Sequence, residues 1–343
     1  MRIGWPDPGN PARVPPVHRR LGQFYPGVLQ PGVDQWKRGL RLVILGVALV
    51  ALGGCAVLAD AGFYVDLFRA NRAGVRFRRT HESLALDVPY TSISDVRLDI
   101  YSPQAPGTYP VIIFVHGGGW DSYNKDLFAP VAMQLVPRDM VVAIPNYTLH
   151  PDATYRQMTR EIAAAVAWTF ENAPDHRGDP ERIFLSGHSA GGHLSGLVAF
   201  DPRWLAEHGR TPGELAGWIG LAGVYDVDRQ MAFERRTGGT APVMTAVMEG
   251  EPNFPDASPQ THALATPDRN PPRTWLIHGA ADETVPVQMS EAFARALGDA
   301  GIPAELVIYP DTGHSDFLFD ALSDDDAPVL RDIGRIVESP PGG

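Results

Sequence analysis

A chain of 343 residues with 44% hydrophobic side chains is long enough to bury one large core. Its formal charge of −11 is uneven, because residues 1–41 hold seven Arg/Lys against Asp7 and Asp34 and leave −16 on the remainder; so acidic a body argues against nucleic acid as a partner. Cys55 is the single cysteine, which excludes an intrachain disulfide and a cysteine-based metal cluster.

The first 34 residues contain seven prolines and little apolar periodicity, so segment 1–41 reads as a disordered, Pro-rich basic tail with nothing catalytic in it. After Trp36-Lys37-Arg38-Gly39-Leu40-Arg41 comes an uncharged run of 18 residues, Leu42 to Ala59, at the threshold length for a membrane-spanning helix. Residues Ala56 to Val65 stay largely apolar, so 42–65 is expected to be a transmembrane or signal-anchor segment. Leu52-Gly53-Gly54-Cys55 also resembles the lipobox of bacterial lipoproteins, which gives an alternative in which the chain is cleaved and anchored by a lipid on Cys55. Both readings attach the protein to a membrane. Lys37, Arg38 and Arg41 precede the apolar run closely while Arg69, Arg72, Arg76, Arg78 and Arg79 follow at greater distance, so the N-terminus is expected inside and the C-terminal domain on the outer face. Residues 66–83 read as a linker.

From about residue 84 short β-rich runs alternate with longer helical ones, the pattern of a mostly parallel sheet with helices on both faces. Leu84–Tyr90 and Val96–Tyr101 read as an opening pair of strands, and Val111–Val115 and Met140–Ile144 as buried strands. A helix is predicted over Tyr155–Phe170, a strand over Ile183–Leu185 and a helix over Ala190–Phe200. Strands at Trp218–Leu221, Trp275–Ile277 and Glu305–Tyr309 follow, with helices over Gln288–Ala300 and Pro328–Val337.

Gly187-His188-Ser189-Ala190-Gly191 falls directly after the strand at Ile183–Leu185, as a G-x-S-x-G elbow does. A tight strand-to-helix turn lifts the serine hydroxyl toward a base, and the flanking glycines remove side chains that would collide there. Such a serine needs donors for an oxyanion, a base, and an acid that orients the base. His116-Gly117-Gly118-Gly119-Trp120 follows a buried strand and offers backbone N–H donors at Gly117 and Gly118, to which Ala190 adds another. Among eleven histidines, His314 follows the last strand, where a loop carries it back over the sheet edge toward Ser189. His188, His193 and His278 are set aside as bases because of their position. Asp282 lies just beyond the strand at Trp275–Ile277, with Glu283, Asp226 and Asp311 as competitors, and the order Ser189, Asp282, His314 is that of α/β-hydrolases. Gly119, Trp120, Tyr147 and His188 are candidates for substrate contact; for Trp120 packing under the loop is the other reading. Met231, Phe233, Met244, Met248 and Phe254 are candidates for an apolar lid, or for ordinary packing of an irregular insertion.

On these motifs residues 84–338 resemble α/β-hydrolases of the esterase/lipase group. Ala246-Val247-Met248-Glu249-Gly250, Ser258-Pro259 and the closing Glu305-Leu306-Val307-Ile308-Tyr309…Gly313-His314-Ser315-Asp316 resemble the membrane-bound isoprenylcysteine methylesterase-like enzymes. Asn146-Tyr147-Thr148-Leu149 departs from them, with Thr148 where relatives usually carry arginine. The resemblance implies an α/β-hydrolase catalytic domain over 84–338 that cleaves small carboxylic esters, lipophilic ones among them, through an acyl-enzyme on Ser189, without metal or organic cofactor. A serine peptidase or amidase of the same fold, and a non-catalytic binding protein, are the alternatives.

Overall fold

The structure, a computed structural model, describes residues 56–237, 241–265, 270–316, 318 and 327–338. The tail 1–41 and residues 42–55 of the expected membrane segment lie outside the described residues. The chain divides into two units, Met1–Ala61 and Gly62–Gly343. Helix α1 (Ala56–Thr80) begins inside the expected membrane segment, and no helix among the described residues is long and apolar enough to cross a membrane. The expected linker 66–83 is a correction, because α1 continues through it to Thr80. That stretch contains no proline; Ala70 is buried, a side chain at Gly74 would press on Pro130 at 3.0 Å, and the Phe77 ring stacks on Tyr101. Arg78 then ties the helix down through Asp99 at 3.2 Å and Asp126 at 2.8 Å. Buried Lys125 joins the same cluster through Asp99 and Asp87, at 2.8 and 2.6 Å.

Eight strands follow: β1 (Leu84–Pro89), β2 (Arg97–Tyr101), β3 (Tyr109–Val115), β4 (Val141–Pro145), β5 (Gly178–His188), β6 (Gly217–Leu221), β7 (Thr274–Gly279) and β8 (Ala304–Tyr309). They form one sheet in the order β1-β2-β4-β3-β5-β6-β7-β8, antiparallel at β1/β2 and β2/β4 and parallel from β4 onward. The alternation of side chains along each strand divides the core in two. Val111, Ile113 and Val115 face one cluster with α3 (Tyr155–Asn172), α4 (Ala190–Phe200) and α9 (Gln288–Asp299), whereas Ile112 and Phe114 face a second with α2 (Ala129–Leu135) and α10 (Pro328–Glu338). Coverage on both faces explains why β3 reads as an unbroken apolar run. Every residue of α4 is buried, while α10 buries Val329, Leu330, Ile333, Ile336 and Val337 along one helical stripe.

A short α5 (Pro202–Ala206) follows α4, and between β6 and β7 lie α6 (Val227–Thr237), α7 (Ala241–Val247) and α8 (Pro259–Ala265). Here the apolar-lid expectation needs correction. Met231, Met244, Met248 and Phe254 are fully buried in the main core and Phe233 is half-buried. Their side chains anchor the insertion instead of lining a lid. Asp256 fastens its outer edge, accepting from Tyr155 at 2.9 Å, Arg156 at 2.8 Å and Arg203 at 2.7 Å.

Candidate active site

In a parallel sheet the C-terminal strand ends share one edge, and loops leaving that edge converge. The loop after β3 carries residues 116–120, β5 ends at His188, Asp282 lies three residues beyond β7, and His314 five beyond β8. Ser189 sits between β5 and α4 with φ 56° and ψ −121°, a conformation costly for a residue with a Cβ. Its surroundings hold it there. The Ser189 N–H donates to Leu221 O at 3.0 Å, the His193 N–H donates to Ser189 O at 3.0 Å, and a Cβ at Gly191 would lie 2.1 Å from Val115 O. Glycine at 191 is thus a requirement for the close approach of the turn to β3.

Among the described carboxylates, Asp282 is the one that bonds His314. Its Oδ1 accepts from the N–H groups of Thr284 and Val285, both at 2.8 Å, and its Oδ2 accepts from His314 Nδ1 at 2.7 Å and His278 Nε2 at 3.0 Å. Burial works to raise its pKa, but the hydrogen bonds and charge of His278 and His314 outweigh it and hold the carboxyl well below the usual carboxylate range. Glu283 and Asp311 are exposed, and Asp226 accepts from the Arg229 N–H at the start of α6. Backbone bonds from Ala280 N to Tyr309 O, 2.9 Å, and from Ala281 N to Thr312 O, 3.0 Å, stitch the loop of Asp282 to that of His314.

Gly117 runs against the elbow, where a Cβ would meet Ser189 Cβ at 3.1 Å. Gly118 has φ +123° and a Cβ there would fall 2.2 Å from Ser122 O, so only glycine fits. His116 fixes the peptide between these glycines: its Nδ1–H donates to Gly117 O at 2.8 Å. In a trans peptide the N–H points opposite to the carbonyl, so the Gly118 N–H is turned away from His116. Ala190 opens α4, where backbone N–H groups have no helical acceptor.

The expected substrate contacts at Trp120, Tyr147 and His188 are corrected by their burial and hydrogen bonds. Trp120 Nε1–H donates to His193 Nδ1 at 3.2 Å, and His193 Nε2–H donates to Ala257 O at 2.7 Å. Tyr147 donates to His116 O at 3.1 Å and its ring stacks on the His116 ring with centroids 4.5 Å apart. His188 Nε2–H donates to His314 O at 2.8 Å, with the two rings 4.7 Å apart. All three side chains brace the site from within; Gly119 is half-buried with φ +59°. Burial lowers the pKa of His116 and His193 to about 4, and burial with the neighbouring His314 lowers that of His188 to about 3. Thr148 supplies its own brace where arginine is absent: its N–H and hydroxyl donate to buried Glu161 at 2.6 and 2.7 Å.

Sequence reasoning set His188, His193 and His278 aside as bases and missed their bracing. Two of them lie inside or beside the elbow motif, which is the one signal that marked them.

The eight-stranded sheet with its elbow serine and the His314–Asp282 pair defines an α/β-hydrolase of the esterase/lipase group. Residues 98–297 match the BD-FAE family, and the chain belongs to that family. It is similar to the probable isoprenylcysteine alpha-carbonyl methylesterase of Arabidopsis thaliana, 32% identical over 236 residues, 66% of this chain and 56% of that protein. A probable carboxylic ester hydrolase of Mycobacterium tuberculosis is 29% identical over 63% of this chain and 51% of its own length. The chain thus spans less than two thirds of the length of these relatives. A truncated carbohydrate esterase from gut microbiota shares the fold, with TM-score 0.62 and 22% identity over 75% of this chain and 96% of that one.

Proposed function

We propose that this protein is a membrane-attached serine carboxylesterase. The observation that carries the proposal is the 2.7 Å bond from His314 Nδ1 to Asp282 Oδ2, with the His314 ring 4.7 Å from that of His188, the residue that precedes the strained elbow serine. In this mechanism Ser189 Oγ attacks the ester carbonyl and His314 takes its proton. Asp282, kept ionised, orients the imidazole by accepting from Nδ1 and stabilises the imidazolium. The N–H groups of Gly117, Gly118 and Ala190 receive the oxyanion. The alcohol leaves with the proton returned by His314; water, deprotonated by the same histidine, then releases the acid from Ser189.

Names of relatives guide the choice of ester. A methyl ester of an isoprenylated cysteine belongs in the assay beside p-nitrophenyl esters from acetate to palmitate. Ser189→Ala should lower kcat by about four to six orders of magnitude while leaving the fold intact. A folded Ser189→Ala protein with wild-type turnover refutes the assignment.

Membrane attachment rests on the apolar run 42–59 and its basic flank, with the catalytic domain proposed on the outer face. Added protease should therefore digest the domain from intact cells, and an uncut domain refutes that orientation. Incorporation of a lipid label that Cys55→Ala abolishes would replace the spanning segment by a lipid anchor.

A further inference from the structure

His278 has no part in the reaction above, yet it is fully buried and both its ring nitrogens are engaged. Nε2 lies 3.0 Å from Asp282 Oδ2 and 2.9 Å from Val285 O, and Nδ1 lies 2.7 Å from Ser290 Oγ. A carboxylate and a carbonyl only accept, so Nε2 carries a hydrogen and shares it between them. Ser290 is itself fully buried in α9. A hydrogen-bonded chain from α9 through β7 therefore ends on the acid. Such chains strengthen each member by polarisation.

The two oxygens of Asp282 are held differently. Oδ1 is fixed by two backbone N–H groups, whereas Oδ2 divides its charge between His314 and His278. We propose, resting on the ester-hydrolase reading above, that His278 is a positioning residue: its Nε2–H holds Asp282 Oδ2 in front of His314 Nδ1 and takes part of that oxygen's charge, which sets the pH range in which His314 acts as base. The titratable groups in contact with this pair are His188 from the end of β5 and His278 from β7; Asp316, two residues beyond His314, has its Oδ2 accepting from the Gly313 N–H at 2.6 Å. Among the described side chains, His278 is the one that shares Oδ2 with His314.

The test is kcat, KM and the pH profile of the full chain and its His278→Leu and His278→Gln variants. Leucine keeps bulk and loses the donor, while the glutamine amide can still donate toward Oδ2. His278→Leu should lower kcat by about ten- to a hundredfold with KM nearly unchanged. Without the competing donor the whole field of Oδ2 falls on the imidazolium of His314, so the acid limb of kcat/KM should move up by about one pH unit. His278→Gln should restore most of both. A merely structural histidine would lower Tm and leave the limb in place.

A wild-type profile in folded His278→Leu, or a glutamine variant as impaired as the leucine one, overturns the inference. If His278→Leu does not fold, Ser290→Ala takes its place; it weakens the donor and should give a smaller shift of the same sign, and no shift overturns the proposal. The downfield proton resonance of His314 Nδ1–H reports the same titration with no ester present. Absent turnover in the wild type would refute the hydrolase reading, and the resonance would still decide the role of His278.

Discussion

His116, His188 and His193 make a prediction about acid stability that follows from burial. Their pKa values in the folded chain are about 4, 3 and 4, against about 6.5 in an unfolded one. Each is a base whose folded pKa is depressed, so the native state binds fewer protons than the unfolded state. The stabilisation is fully present above about pH 6.5 and is lost as pH falls toward the folded values. Near pH 5.5 about nine tenths of each unfolded imidazole is protonated and almost none of the native ones is. Unfolding then takes up almost three protons, and stability should fall by about 3 to 4 kcal/mol per pH unit from these residues alone. Carboxylates contribute little in this window, because Asp282 and Asp256 begin to take up protons in the unfolded chain only nearer pH 4. Urea unfolding at half-unit steps from pH 7 to 5 measures the slope. His193→Gln, which keeps an amide able to bond Trp120 and Ala257, should reduce it by about a third. A wild-type slope below about 1 kcal/mol per pH unit, or one unaltered in His193→Gln, would refute the assignment of these histidines as buried and uncharged.

Asp282→Asn should leave the chain folded but lower kcat by about four orders of magnitude, since an amide can present its NH2 to donors and favours the wrong tautomer of His314; single-turnover ester cleavage measures this. Gly118→Ala places a Cβ 2.2 Å from Ser122 O at φ +123°, so the loop must shift. The expected loss is about a hundred- to a thousandfold in kcat with a smaller change in KM. Thr148→Val removes one donor to buried Glu161 and should cost about 1 to 3 kcal/mol of stability, recovered in Thr148→Ser and read by chemical denaturation.

How far the sequence was legible follows from how each element buries its residues. β3 and α4 are covered on all sides, and their continuous apolar runs give them away; α4 has the bounds Ala190–Phe200 expected for it. The opening pair of strands, β1 and β2, was likewise marked by short β-rich runs, although their antiparallel pairing was not read from them. Helix α1 was not legible from residue 66 on, because it packs through Ala70, Gly74, Phe77 and a paired Arg78, too few apolar positions among its arginines to announce a helix. The insertion before β7 offered methionines and phenylalanines without a sign of direction, and most of them turned inward. At the candidate site, the serine, the HGGG loop and the carboxylate after β7 were readable because each sits in a short local motif. The partners of the histidine rings were not. His188 bonds a carbonyl 126 residues away and His193 one 64 residues away, separations at which no local spacing is informative.

The choice of buried histidine, where leucine would fill the space, has an electrostatic reason. A neutral imidazole offers one donor and one acceptor on a rigid ring, enough to tie a main-chain carbonyl to a second group without bringing a charge into the core. His116 ties Gly117, His188 ties His314, and His193 ties Trp120 to Ala257. Charge would be harmful here. The His188 ring centroid is 4.7 Å from that of His314, which must become an imidazolium during the proposed reaction. Two cations at that separation repel by about 3 to 4 kcal/mol even at an effective dielectric constant of about 20, enough to slow proton abstraction by more than two orders of magnitude. Burial holds His188 uncharged down to about pH 3, so it can buttress the proposed base without opposing its protonation. The acid instability predicted above and the working electrostatics of the site are thus two consequences of the same desolvated rings.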